Sequence, residues 1–294
     1  MIAHANQMYS RPIMQEEKEK FRNQAHITTL NPEALELRKR IIGVAEKAGR
    51  AHIGPALSVI DIIHVLYREI LDRNKILQKL DSRDRFILSK GHGCLGLYAV
   101  LEKFKMLGIE TLDDFCKYES GLGGHPETRC LEYLEFSTGS LGHGLPVGIG
   151  MAFAMKLKNL KSKVIVLIGD GESNEGSTWE GALHASKHQL DNLWVVVDYN
   201  DMQASGNLSE VLPLEPLEEK WKAFGFETIT INGHSEQEVA NVFKNIVSKK
   251  PKCIIAHTIK GKGIPIAEDS PEWHHKAKIS QLEITNIRKS MENL

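Results

Sequence analysis

"VIVLIGDGESNEGSTWEGALHASKHQLDNLWVVVDYND", residues 164–201, reads as strand, helix and strand in succession. Two unbroken apolar runs, Val164–Ile168 and Leu193–Val197, have the composition of strands covered on both faces. Thr178–Gln189 lies between them with a helical pattern. The first run ends on Gly169-Asp170-Gly171 and the second leads to Asn200. A right-handed crossover brings both ends to one edge of the sheet, as neighbours. A carboxylate and an amide oxygen there are hard ligands of the kind Mg²⁺ takes, and phosphate oxygens would complete its octahedron. Gly169 and Gly171 leave room for a diphosphate to approach the backbone. By themselves, the two groups fit a tight turn and an Asn loop cap more readily.

Outward from this unit the alternation continues. Phe86–Leu88, Thr228–Ile231 and Cys253–Ala256 read as further strands, and Leu95–Phe104, Leu145–Lys158 and Ser235–Val247 as helices. This alternation predicts an α/β fold with a doubly wound, mostly parallel sheet, helices on both faces and ligands outside the C-terminal strand ends. "NPEALELRKRIIGVAEKAG" predicts a helix capped by Asn31, opened by Pro32 and stopped by Gly49. "LSVIDIIHVLYREIL" predicts another, with Ser58 and Asp61 spaced as a capping box. Residues 1–30 are expected to form an N-terminal arm, and residues 31–294 a single domain.

The chain has 294 residues and a net charge of −1, without a Lys/Arg block, which argues against a nucleic-acid surface. No apolar run reaches the roughly 18 residues of a membrane span, and the polar N-terminus lacks a signal-peptide core. Four cysteines without a C-x-x-C pair suggest buried thiols in a reducing compartment, hence a cytoplasmic protein.

Between Gly171 and the Tyr199-Asn200 pair lie 27 residues, Glu172 to Asp198. This arrangement resembles the metal-binding motif of thiamine-diphosphate enzymes, and "GDGESNEGSTWE" narrows the resemblance to the transketolase family. The resemblance implies thiamine diphosphate as cofactor and Mg²⁺, or Ca²⁺ in its place, held by Asp170, the Asn200 side chain and the Met202 carbonyl. Gly169, Gly171 and Glu175 would line the cofactor. Glu175 and Glu180 match acids at the family's dimer interface and read equally well as surface carboxylates.

Further stretches resemble the same family in the same order. "AGRAHIGPALS" supplies His52 as an active-site histidine. "LSKGHGCLGLYAVL" supplies His92 near the diphosphate and thiazolium. "GGHPE" supplies His125 near the substrate's terminal hydroxyl. "STGSLGHG" supplies the Gly139 and Leu141 backbones beside the aminopyrimidine. "PEWHHKAK" supplies His274, both a cofactor contact and a catalytic residue. The match runs from Asn31 to Lys278. Arg50-Ala51, Pro55-Ala56, His143 and His275 depart from the usual pattern, all beside the substrate mouth. His64, His184, His188 and His234 are expected to be packed or solvated.

What the resemblance implies is ketol transfer: a two-carbon unit moves from a ketose, or ketose phosphate, to an aldose. His52, His125 and His274 would shuttle protons and hold hydroxyls. Only the diphosphate-binding half of such an enzyme is matched. A separately encoded C-terminal subunit, bearing the pyrimidine-binding half, is therefore expected in an α₂β₂ assembly. Alternatives are a subunit of a 2-oxoacid dehydrogenase or deoxyxylulose-phosphate synthase, and a non-catalytic subunit that stabilises a partner. "GHGCLG" with Asp113 also fits a dinucleotide-binding pattern.

Overall fold

Five parallel strands make one sheet in the order β1 (Arg85–Leu88), β2 (Val164–Gly169), β3 (Leu193–Tyr199), β5 (Lys252–His257), β4 (Glu227–Asn232). The computed structural model describes residues 12–118 and 120–292, so the first eleven positions of the expected arm lie outside the described residues. Each expected strand is present, longer by one or two residues at its ends.

Alternation along the strands builds two cores. Phe86, Leu88, Ile165, Leu167, Trp194, Val196, Ile254 and Ala256 face one layer. It holds α2 (Pro32–Ala48), α3 (Ile53–Val65), α4 (Cys94–Lys103), α8 (Glu236–Asn245) and α9 (Gln281–Glu292). Ile87, Val164, Val166, Ile168, Val195, Val197, Cys253 and Ile255 face α5 (Gly144–Leu157), α6 (Gly176–Lys187) and α7 (Leu217–Ala223) on the other side. A sheet covered on both faces needs continuous apolar strands, which is why the runs lack polar alternation.

Helix α2 begins and ends as its sequence dictates. Asn31 accepts the Glu33 N–H at its N-terminus, Pro32 opens it, and Gly49 closes it in the left-handed region at φ 71°. Helix α3 differs from expectation. It starts at Ile53, and every residue along it is buried. Ser58 and Asp61 therefore lie inside the helix and form no capping box. Ser58 Oγ has Asp198 Oδ2 at 2.7 Å and the Pro55 carbonyl at 3.0 Å, two acceptors sharing its one hydroxyl hydrogen. Asp61 binds both Arg38 amino groups at 2.8 and 2.6 Å and His234 Nδ1 at 2.6 Å. A π-turn, Leu66–Ile70, extends the helix. Within the expected arm, Pro12–Ile27 forms helix α1, which runs against β4 and β5.

Candidate functional site

The C-terminal ends of β1, β2, β3 and β5 meet along one edge. Just beyond β2, the buried Asp170 turns back into the structure. Its Oδ1 accepts the Gly171 N–H (2.7 Å), and its Oδ2 accepts the N–H groups of Asn200 (2.8 Å) and Asp201 (2.7 Å). A carboxylate offers about four acceptor positions, so three backbone bonds leave roughly one open, on Oδ1. Burial raises the Asp170 pKa to about 6, with Asp198 adding to the rise while Lys90 and Lys260 oppose it. Asn200 is buried as well. Its Nδ2 donates to Asp198 (3.1 Å), while its Oδ1 accepts only a long bond from the Met202 N–H (3.3 Å).

Beneath these groups, Asp198 is a fully buried carboxylate shared by Ser58, Lys90, Asn200 and Thr258. Burial alone would raise its pKa, but the Lys90 ammonium and the hydrogen bonds hold it below the usual carboxylate range. Lys260 reaches in from the loop after β5, and its Nζ donates to the carbonyls of Met202 (3.2 Å) and Gln203 (3.3 Å). Burial and the neighbouring Lys90 lower the Lys260 pKa to about 8. Lys90, Asp198 and Lys260 were not singled out in the sequence. The available signal was a carboxylate, Asp198, at the end of an apolar strand, which requires a buried cation.

Five imidazoles cluster close by, near enough that the Lys260 charge acts on Asp170 and on His52, His92 and His274 alike. The His52 ring lies 5.9 Å from His92, 5.6 Å from His125, 5.8 Å from His274 and 4.6 Å from His275, centroid to centroid. His92 and His274 are 5.2 Å apart. Distant segments converge here because Ala51 and Lys276 exchange two backbone hydrogen bonds, of 3.0 and 2.9 Å. Gly54 allows the close packing, since a Cβ there would lie 3.0 Å from the Trp273 carbonyl. Burial, then His275 and His125, lowers His52 to about 4. Burial, then Lys260, lowers His274 to about 3. His92 lies well below its ordinary value and His125 is lowered, both chiefly through burial. His274 Nδ1 is buried without a hydrogen-bond partner.

The loop carrying Gly139 and Leu141 closes the third side. The buried Glu172 fastens it by accepting the N–H groups of Gly142 (2.9 Å) and Gly169 (3.1 Å) and the Ser89 hydroxyl. Thr138 Oγ1 donates to the Leu88 carbonyl (2.8 Å) and packs on Gly91, where a Cβ would lie 2.6 Å from it. Gly139 lies against the His125 ring. Glu175 and Glu180 are solvent-exposed at the start of α6.

The remaining histidines are placed otherwise. His234 is bound to Asp61 and accepts the Ile259 N–H, and His64 lies between Glu236 and Glu33. His184 and His188 pack at tilted angles against each other, and Phe153 meets the first edge-on and the second tilted. Asp113 pairs with Arg40 and Lys47, away from the sheet edge, which removes the acid from the dinucleotide pattern. Among the described residues, no three His, Cys, Asp or Glu side chains gather to hold a metal ion. A carboxylate, an amide and a carbonyl form the kind of incomplete set that ligand oxygens complete.

Comparison with known proteins bears on the family and the fold. The family model described as "Transketolase, thiamine diphosphate binding domain" matches residues 33–292. The chain is 37% identical over 270 residues to an apulose-4-phosphate transketolase subunit of Phocaeicola vulgatus, covering 91% of this chain and 96% of that protein. It is 36% identical over 264 residues to the 6-deoxy-6-sulfo-D-fructose transketolase subunit SqwG of a Clostridium species, covering 86% of this chain and 96% of that one. Among solved structures, transketolase from Campylobacter jejuni superposes with a TM-score of 0.78 at 30% identity. That match covers 90% of this chain but 43% of the Campylobacter chain.

Proposed function

The chain belongs to the transketolase family, and on that premise we propose that it is the diphosphate- and metal-binding subunit of a two-subunit transketolase. The single observation that carries this reading is the junction of Asp170 and Asn200 at the sheet edge, joined to the histidine cluster through Lys260, whose charge acts on Asp170 and on His52, His92 and His274. The coverage pattern supports a split enzyme: the chain spans nearly all of the Phocaeicola subunit but 43% of the Campylobacter chain. The proposed partner is a separately encoded C-terminal subunit, assembling with this one as α₂β₂.

The residues present fit thiamine diphosphate and Mg²⁺. Asp170 Oδ1 and Asn200 Oδ1 each retain acceptor capacity, the Lys90 and Lys260 ammonium groups supply positive charge, and His274 Nδ1 is an unpaired polar atom. Asp170, Asn200 and the Met202 carbonyl would hold the ion, while Gly169 and Gly171 line the diphosphate. When bound, thiamine diphosphate would supply the nucleophilic carbon that takes a two-carbon ketol unit from a ketose and yields it to an aldose.

The chain's own residues would do the rest. Burial holds His52, His125 and His274 below the ordinary histidine value, so each presents a neutral ring nitrogen that can hold a sugar hydroxyl, and proton transfer through them would draw on the charge that the bound cofactor and substrate bring. His92 and the Gly139 and Leu141 backbones would orient the cofactor rings. The relatives' names carry an apulose phosphate and a sulfofructose. We therefore propose a substrate class, a sugar or sugar phosphate, without choosing between them. No helix among the described residues is long and apolar enough to cross a membrane. Of the four thiols expected to be buried, Cys94 and Cys253 are, while Cys116 is half-buried and Cys130 exposed; all four are free, which suits a reducing cytoplasm.

Native mass spectrometry of this chain mixed with the candidate C-terminal subunit, thiamine diphosphate and Mg²⁺ tests the reading. The expected species is a heterotetramer with two cofactors. Absence of both complex and cofactor would overturn it.

A further inference from the structure

We infer that Arg22, on helix α1, is a positioning residue that holds the metal-ligand loop in register with the loop leading to His274. This inference rests on the functional reading above for its meaning, since it takes Asn200 and Met202 as metal ligands. Its geometry stands independently.

Helix α1 lies across the sheet edge next to the site. Phe21 stacks on the His257 ring, with centroids 5.3 Å apart and planes 14° from parallel. Lys18 Nζ sits 3.0 Å from Asp201 Oδ1 and 5.2 Å from the centre of the Tyr199 ring. One turn on, the Arg22 guanidinium bridges two separate loops. Nη1 donates to the Asn200 carbonyl (3.3 Å), and Nη2 pairs with Asp269 Oδ2 (2.9 Å). His26 Nε2 approaches the same Asp269 oxygen at 3.1 Å.

These contacts close a circuit. The Asp269 N–H donates to the Lys260 carbonyl (2.9 Å), and the Lys260 side chain binds the carbonyls of Met202 and Gln203. Arg22 joins the two ends, at Asn200 and at Asp269. Both loops contain a non-glycine residue in the left-handed region, Asp201 at φ 64° and Asp269 at φ 52°. The guanidinium fork holds its N–H groups in fixed, diverging directions that span the two loops, and the compact point charge of a lysine ammonium on a flexible stem does not reproduce that span. Helix α1 thus acts as a strap whose buckle is one guanidinium.

Hydrogen exchange by mass spectrometry on the full chain without cofactor, together with cofactor binding by the two-subunit complex, tests this. In Arg22→Ala and Arg22→Lys, exchange should quicken in segments 199–205 and 268–276 together, with β1 and β2 unchanged. In the complex, the Mg²⁺ concentration for half-maximal thiamine-diphosphate retention, measured by equilibrium dialysis, should rise about tenfold or more, as for other groups that orient metal ligands. If the alanine variant fails to fold, the lysine variant carries the test. Wild-type exchange in both segments of Arg22→Lys would overturn the proposal, as would quickening spread evenly through α2 and the sheet. A wild-type complex that retains no thiamine diphosphate would sink the functional reading instead, leaving exchange to decide the strap.

Discussion

Asp170 holds the backbone of Asn200 directly: the carboxylate at the end of β2 accepts the N–H of the residue that follows β3, at 2.8 Å. The two proposed metal ligands are thus fixed to one another before any ion arrives. Asp170→Asn should separate the carboxylate's two roles, since the amide keeps one acceptor oxygen for the backbone but loses the charge. The variant should fold while thiamine-diphosphate retention by the complex falls by about two orders of magnitude or more, since loss of an outer partner alone costs about 10–100-fold. Calorimetric titration in Mg²⁺ measures it, and an unchanged affinity would remove Asp170 from the metal site.

The Lys90–Asp198 pair lies out of water, with Lys90 2% exposed and Asp198 0%. Lys90→Met strands a buried carboxylate and should cost about 3–5 kcal/mol of stability. The double variant Lys90→Met/Asp198→Asn should recover much of that loss. Urea unfolding of the three chains decides, and additive losses would show that the two residues are not a pair.

His52 sits among the imidazoles and, among the described residues, shares no hydrogen bond with Asp170 or Asn200. We expect His52→Ala to lower kcat of the complex by about 10²-fold or more while cofactor affinity stays near wild type. A parallel fall in both would move His52 from proton transfer to cofactor binding.

Acid should destabilise the chain through its buried histidines. Burial, then Lys18 and Arg22, lowers the His257 pKa to about 3. The unfolded chain therefore protonates first. This residue's contribution is fully present above the ordinary histidine value and is lost as pH falls from about 6.5 toward 3. By pH 5 the loss is about 2 kcal/mol for a group shifted so far. His257→Phe keeps a ring against Phe21 and Tyr199 but cannot titrate. Urea unfolding at about pH 7 and pH 5 should show a smaller difference in that variant, and an equal difference would refute the assignment.

The sheet was legible because strands such as Val164–Gly169 are buried along their whole length and so leave uninterrupted apolar runs. The Asp170–Asn200 neighbourhood followed from crossover handedness alone. The start of helix α3 was obscured because "HIGPALS" opens with Gly54, Pro55 and small residues, which weaken the helical pattern. Ser58 and Asp61 kept cap-like spacing while their real partners, Asp198 and Arg38, lay far along the chain. Helix α1 was hidden by its charge. Lys18 and Arg22 are spent on acids and carbonyls more than 170 residues away, which no local spacing encodes.

The strand order carries a consequence for synthesis. The last strand, β5, lies between β3 and β4, so the sheet is incomplete until residues 252–257 have left the ribosome. Strands β1 to β3 adjoin in chain order and can assemble as they emerge, already placing Asp170 beside Asn200. Until then β3 exposes a bare hydrogen-bonding edge flanked by apolar side chains, and β4 waits with no neighbour. A nascent chain halted before β5 would offer that edge to other strands, so this stretch of translation is where aggregation should begin and where a chaperone would bind.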